Sequence, residues 1–309
     1  MALSSHDKEH SASQHSEIIP RLQSLSRTLC YSSTSNMSPA PWRGEFLSHI
    51  SKMSSQEFVF SSLHLASPAS SIPYYPRART CIFRGMWAEL VAHRLNPAEL
   101  NVKAYESEML TMTTDARMEK LNEIISSANE NNEIDGTHQK KNISGGGGPV
   151  EAVFWAKDSQ TQWRIKGKAF VVGKDIEDEN AAGAKLAREE IGNGMRVVET
   201  DKTCKWSWAR ELTAHFGNLS PSMRGTFKNP FPGTPITCPI EDKRLWLGQD
   251  VYDLNDSVAR ENFCTIVIKP EEVEQLSLKG PKTARRWKYS YVGAEKNDTG
   301  NWKTEELWP

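Results

Sequence analysis

A chain of 309 residues has room for one large domain or two ordinary ones, and 38% hydrophobic residues with ten tryptophans supply a sizeable core. A formal charge of -1 gives no global field to draw the chain onto nucleic acid or an anionic membrane, so any anionic ligand must be held by a local group of basic residues. The five cysteines (Cys30, Cys81, Cys204, Cys238, Cys264) are scattered and form no CxxC pair, which argues against a disulfide framework or a zinc site and for a reducing compartment. No run approaches the roughly 18 apolar residues of a membrane span.

Residues 1–38 are rich in Ser and His and poor in aromatics, and read as a disordered tail. Arg21 and Arg27 among serines leave a mitochondrial presequence as the competing reading, opposed by Asp7, Glu9 and Glu17, so the cytoplasm is the expected location. Trp42, Phe46, Ile50 and Met53 then recur at spacings of four, four and three, which predicts an amphipathic helix. Strands follow at 57–65, 79–84 and 109–114, with a Ser/Pro-rich turn segment between the first two. Asp115 suits the cap of a helix whose apolar stripe is Met118, Leu121 and Ile125.

The polar stretch 129–149, ending in Gly145–Gly148 and a proline, reads as a mobile loop; no Gly-Lys-Ser/Thr follows it, so it is not a phosphate-binding P-loop. Residues 150–155 and 163–172 predict a hairpin around Lys157–Gln160. The charged segment 174–203 reads as a solvated insertion with a weakly apolar helix near 180–191. A helix at 206–216, the Pro/Gly-rich run 229–235, strands at 263–268 and 287–292, a turn at 297–300 and a terminal segment 302–308 follow. At least six strands with a few helices, in no repeating βαβ order, predict a mainly β, antiparallel barrel with peripheral helices.

No His-Glu-x-x-His, Gly-x-Ser-x-Gly or paired Cys/His motif occurs, so zinc hydrolysis and triad chemistry find no support, and no metal site is expected. The unusual feature is basic and hydroxyl residues at strand ends: Arg79-Thr-Cys-Ile-Phe-Arg84, then Thr113-Thr114-Asp115-Ala116-Arg117-Met118-Glu119-Lys120. Arg forks, a Lys and a Thr hydroxyl together suit a phosphate monoester. From chemistry alone, surface ion pairs with Glu106, Glu108 or Glu119 stand level with that reading. Gln162 could offer an amide to the uracil-like edge of a flavin or simply lie exposed on its strand. Arg79 and Arg84 are five apart, so regular alternation sends them to opposite sheet faces.

Taken in order, Arg79–Arg84, Thr113-Thr-Asp-Ala-Arg117-x-x-Lys120, Gln162-Trp-Arg-Ile-Lys-Gly167, Arg285-Arg-Trp287 and Trp302–Pro309 resemble the flavin motifs of pyridoxamine 5'-phosphate oxidase-like proteins. Pro41-Trp42-Arg43, Leu219-Ser-Pro-Ser-Met-Arg224 and Pro230-Phe-Pro-Gly233 add to the likeness with the FMN-binding-domain branch, which runs from about Pro39 to Pro309. The resemblance implies an FMN-binding split β-barrel over 39–309, a homodimer with FMN at the subunit interface, and an oxidoreductase acting on a small molecule or, alternatively, a flavin-storage protein. It implies that Arg79, Thr80, Cys81, Ile82 and Arg84 line the flavin, the strand between the arginines approaching through its backbone. Thr113, Thr114, Arg117 and Lys120 would serve the phosphate, with Arg117 replacing a charge because Glu119 stands where the oxidase has Arg. Gln162 and Arg286 would reach FMN from the other subunit. Lys282-Thr283-Ala284 lacks the His of the oxidase's Arg-x-His, which puts the vitamin B6 reaction in doubt. No catalytic residue emerges.

Overall fold

Helix α1 (Arg43–Ile50) forms where the apolar spacing predicts it, with Trp42, Phe46 and Ile50 buried. The Phe46 ring lies 5.2 Å from Phe154, 5.5 Å from Trp163 and 5.9 Å from Phe83, so α1 is anchored in an aromatic core. The structure, a computed structural model, describes residues 38–128, 143–198, 206–293 and 301–309. The expected tail, apart from Ser38, most of the expected loop at 129–149 and the expected turn at 297–300 lie outside the described residues.

In chain order the strands are β1 (Glu57–Leu65), β2 (Tyr74–Ile82), β3 (Tyr105–Ser107), β4 (Leu110–Asp115), β5 (Gly145–Ala156), β6 (Thr161–Val172), β7 (Met195–Val197), β8 (Phe263–Ser277), β9 (Arg285–Tyr291) and β10 (Trp302–Leu307). The helices are α1, α2 (Glu119–Ser126), α3 (Ala182–Gly192), α4 (Trp208–Gly217), α5 (Pro221–Gly225) and α6 (Ser257–Asn262), with one 3-10 turn at Thr226–Lys228. The main sheet runs β10-β9-β8-β6-β5-β1-β2, all antiparallel, and β4 pairs with the first half of β8. Past β2 the chain stays paired: Arg84 N–H donates to the Thr111 carbonyl at 2.8 Å, Thr111 N–H donates to the Gly85 carbonyl at 3.0 Å, and Met86 bridges to Leu110. Through residues 84–86 the circuit β1, β2, β4, β8, β6, β5 thus returns on itself and closes a barrel. Strand β8 makes this possible by its length, pairing with β4 through residues 263–268 and with β9 through residues 272–277.

Four expectations are corrected. The run from Gly145 to Pro149 is not loop: it opens β5, with a bulge between Gly146 and Gly148. The reason is close packing beneath α2, since a Cβ on Gly148 would stand 2.2 Å from Ser127 Oγ and 2.4 Å from the Ile124 carbonyl. Of the segment 174–203, residues 199–203 lie outside the described residues, and the rest is not merely solvated. In α3, Ala184, Ala187, Arg188 and Ile191 are buried at helical spacing, and the helix meets β5 where a Cβ on Gly183 would lie 2.2 Å from Ser144 O. Small residues make this contact, so the helix looks weakly apolar in sequence yet packs closely. Asp115 does not cap α2 either: its carboxylate takes the Arg117 N–H at 2.8 Å and the Arg117 guanidinium, and α2 begins later, at Glu119. The buried residues of α2 are Lys120, Leu121, Glu123 and Ile124, while Met118 and Ile125 are exposed. Two charged side chains have therefore been turned inward, which burial opposes unless each finds partners.

Candidate anion site and flavin face

The partners of those two charges define the site. Lys120, only 8% exposed, donates from Nζ to Thr114 Oγ1 at 2.9 Å. Among the described residues no carboxylate lies within 4.0 Å of that ammonium, the limit within which ion pairs occur elsewhere in the chain. Burial pulls its pKa below the ordinary lysine value; the neighbouring Cys81, Cys264 and Asp115 raise it while Arg79 lowers it further. Cys81, packed beside Lys120 and Arg79, has its thiol pushed up by burial against the pull of those two cations. An inert, packed thiol is the consequence, not a nucleophile.

Glu123 is 1% exposed at its side chain and carries the other half of the network. Its Oε2 accepts from Ser62 Oγ at 2.5 Å and from Arg79 Nη2 at 2.6 Å, and Arg79 Nη1 donates to Ser62 Oγ at 2.5 Å. Burial pushes this carboxyl up, but the Ser62 hydrogen bond and the Arg79 guanidinium outweigh it and hold the acid below its usual range. The Arg79 guanidinium also lies over the Phe60 ring at 5.7 Å. His64 stands 3.4 Å from Glu123 and 3.6 Å from Glu119. These three side chains come close enough together to resemble a cation site. Arg79 and Arg77, at 2.6 Å and 3.9 Å from the Glu123 carboxylate, already balance it, so the group is an ion-pair network.

Strand register sorts the remaining residues. Directly opposed residues of an antiparallel pair share a face. Phe58 faces Cys81 and Phe60 faces Arg79, so Cys81 and Arg79 belong to the inner face with the core aromatics. Thr80 opposes the exposed Val59, and Ile82 opposes Glu57, on the outer face. On that outer face Trp155, Gln162, Leu276 and Arg286 follow one another across β5, β6, β8 and β9. Gln162, Arg164, Glu274, Leu276 and Arg286 line a shallow depression there, where Arg286 donates to Glu274. Arg164 pairs with Glu151 at 2.9 Å and reaches Glu274 at 3.7 Å.

The structure therefore brings Arg79, Cys81, Thr114 and Lys120 together, and separately brings Gln162 and Arg286 together, on the other side of the sheet. Thr113, next along β4, opposes Thr265 and faces away from Thr114. Arg117, expected beside the phosphate, and Arg84, expected along the flavin strand, both have other surroundings in this structure. Arg117 is committed elsewhere: Asp115 neutralises it at 2.6 Å, and it donates to the Asn229 carbonyl at 2.9 Å. Its charge is spent fastening the 229 segment to the start of α2. Arg84, as its odd spacing from Arg79 predicts, does not join Lys120; it lies partly buried toward α4, where its charge adds to burial in lowering the pKa of His215. Sequence reading missed Glu123 and Ser62 because an acid beside an anion site runs against charge intuition. Its one signal is position, three residues past Lys120 on the same helix.

Residues 39–173 match the family described as pyridoxamine 5'-phosphate oxidase, FMN-binding domain. A pyridoxamine 5'-phosphate oxidase-related, FMN binding protein of Nostoc punctiforme is similar in structure, with a TM-score of 0.52 and 20% identity over 88% of this chain and 100% of that one. The uncharacterized protein YGR017W of Saccharomyces cerevisiae is 20% identical over 318 residues, covering 87% of this chain and 98% of its own. No helix of the described residues is long and apolar enough to cross a membrane. Residues 39–173 are thus similar to the pyridoxamine 5'-phosphate oxidase FMN-binding domain, and the chain shares the fold of the Nostoc protein over 88% of its length.

Proposed function

We propose that this chain binds FMN at the interface of a homodimer and acts as an FMN-dependent oxidoreductase on a small molecule. The observation that carries the reading is Lys120, a buried ammonium whose one hydrogen bond among the described residues is to a hydroxyl. A buried cation without a counter-charge is costly, and a phosphate oxygen beside Nζ offsets that cost. Thr114 fixes the lysine's direction, and Arg79 offers N–H groups that Glu123 and Ser62 leave unused, its Nε among them. Gln162 and Arg286 present an amide and a guanidinium suited to a flavin's polar ring edge. Because register sets them across the sheet from Arg79, a second copy of the chain is the natural supplier of this half of the site. When bound, FMN supplies electron transfer between a substrate and an acceptor, chemistry that no side chain here provides. The protein's part is to bind, orient and shield.

Lys120→Ala is expected to weaken FMN by about 2 to 3 kcal/mol, roughly a hundredfold, and to leave riboflavin, which lacks the phosphate, little changed. Lys157→Ala, in the turn between β5 and β6, serves as the control and should affect neither. The interface is tested by mixing Lys120→Ala chains with Arg286→Ala chains after dissociation. In a mixed dimer one site carries both lesions and the other carries none, so tight FMN binding should return. If the mixture binds no better than either variant alone, both halves of the site belong to one chain. Steady reduction and reoxidation of the bound flavin by an added donor and acceptor distinguishes an oxidoreductase from a storage protein.

A further inference from the structure

We infer that Glu123 is a positioning residue for anion recognition: with Ser62 it holds the Arg79 guanidinium in the plane from which its remaining N–H groups meet the phosphate. The inference rests on the phosphate reading of Lys120 and adds to it the role of an acid that sits, against simple charge logic, inside an anion site.

The three side chains form a closed triangle of hydrogen bonds. Ser62 donates to Glu123, Arg79 donates to Glu123, and Arg79 donates to Ser62, each at 2.5 or 2.6 Å. They come from three elements, β1, β2 and α2, so the triangle also fixes α2 against the sheet. A free arginine on a strand loses the rotamer entropy of its long side chain when it grips a ligand. An arginine already clamped through Nη1 and Nη2 has lost it in advance, which is the advantage of preorganisation. Burial is what gives the clamp its strength: Glu123 is 1% exposed and Ser62 3%, where hydrogen bonds to charged groups are strongest. The same carboxylate opposes an incoming phosphate by its charge. Geometry and charge at Glu123 thus act in opposite directions, and two substitutions separate them.

Glu123→Gln removes the charge and keeps an acceptor for Arg79 and Ser62. Glu123→Ala removes the charge and the acceptor. Apoprotein is titrated with FMN and with riboflavin by flavin fluorescence. The expected result is that Glu123→Gln binds FMN at least as tightly as the parent, and that Glu123→Ala binds it about tenfold more weakly than Glu123→Gln, as loss of a charge-assisted clamp implies. Riboflavin affinity should be equal in the two. FMN affinities of the Ala and Gln forms within about twofold of each other would overturn the inference, because both lack the charge and differ only in the clamp. If Glu123→Ala does not fold, Ser62→Ala takes its place; it removes one edge to Glu123 and one to Arg79 at no change in charge, and an unaltered ratio of FMN to riboflavin affinity there overturns the inference equally. Failure of the underlying phosphate reading has a different signature: Lys120→Ala would then leave the FMN to riboflavin ratio unchanged as well.

Discussion

Arg79→Ala is expected to destabilise the fold by about 3 kcal/mol as well as to weaken FMN, because it strands the buried Glu123 carboxylate without its guanidinium. Simple loss of a ligand contact predicts a change in affinity alone. The double variant Arg79→Ala with Glu123→Gln should recover most of the lost stability, since a neutral amide with Ser62 still bonded to it is far less costly to bury than an unpaired charge. Urea unfolding of parent, single and double variants gives both numbers. Equal stability of parent and Arg79→Ala, or a double variant no better than the single, would mean that the triangle contributes nothing to the fold. The carboxylate also carries a pH dependence. Its folded pKa lies below its unfolded value, so the stabilisation is whole above the ordinary carboxylate range and is lost as pH falls through the lowered folded value.

The second large effect is expected far from the anion site, at His215. This imidazole is fully buried on α4 and stacks on Trp87 at 5.8 Å and 8°. Among the described residues its Nε2 has no hydrogen-bond partner, and Glu211 Oε1 is 3.8 Å away. Burial first, then the charge of Arg84, lowers its pKa from 6.5 to about 3. The unfolded chain therefore takes up this proton before the folded one does. Its contribution to stability is whole above pH 6.5 and drains away as pH falls toward about 3, at about 1.4 kcal/mol for each pH unit in that window. His215→Phe keeps an aromatic ring against Trp87 and removes the titration. Between pH 6.5 and about pH 5 the parent should lose about 2 kcal/mol more than this variant. Parallel stability curves over that range, or an imidazole that titrates near its ordinary value by NMR in the folded protein, would contradict the assignment.

Particular residues show what the sequence could and could not carry. Trp42, Phe46 and Ile50 announce α1 because a helical stripe of large residues is a local signal, and the β5–β6 hairpin is announced by its alternation. Gly145–Gly148 misleads for the opposite reason. Glycine favours loops on its own, and only the approach of α2, a tertiary event, makes glycine the residue that fits a strand there. The stripe on α3 is hidden in the same way, since Ala184 and Ala187 bury little area each and look neutral until Gly145 and Gly183 let the backbones meet. The sequence singles out the cations Arg79 and Lys120 and the hydroxyl of Thr114 as groups that suit a phosphate, and the fold sets them near one another. What each cation is already bonded to is not legible. Asp115 lies two residues before Arg117 in the chain and claims it, whereas Glu123 is 44 residues from Arg79 and claims it only because the barrel closes. Lys120, left with a hydroxyl, is distinguished from Arg117 by the fold alone.

That this chain holds FMN through a phosphate-binding ammonium is tested most directly by the absorption spectrum of the purified protein, together with the mass of whatever heat or acid releases from it. A flavin spectrum and release of FMN are expected, near one per chain on reconstitution, with the flavin lost from Lys120→Ala. A colourless protein that takes up no added FMN, or release of FAD in its place, would contradict it.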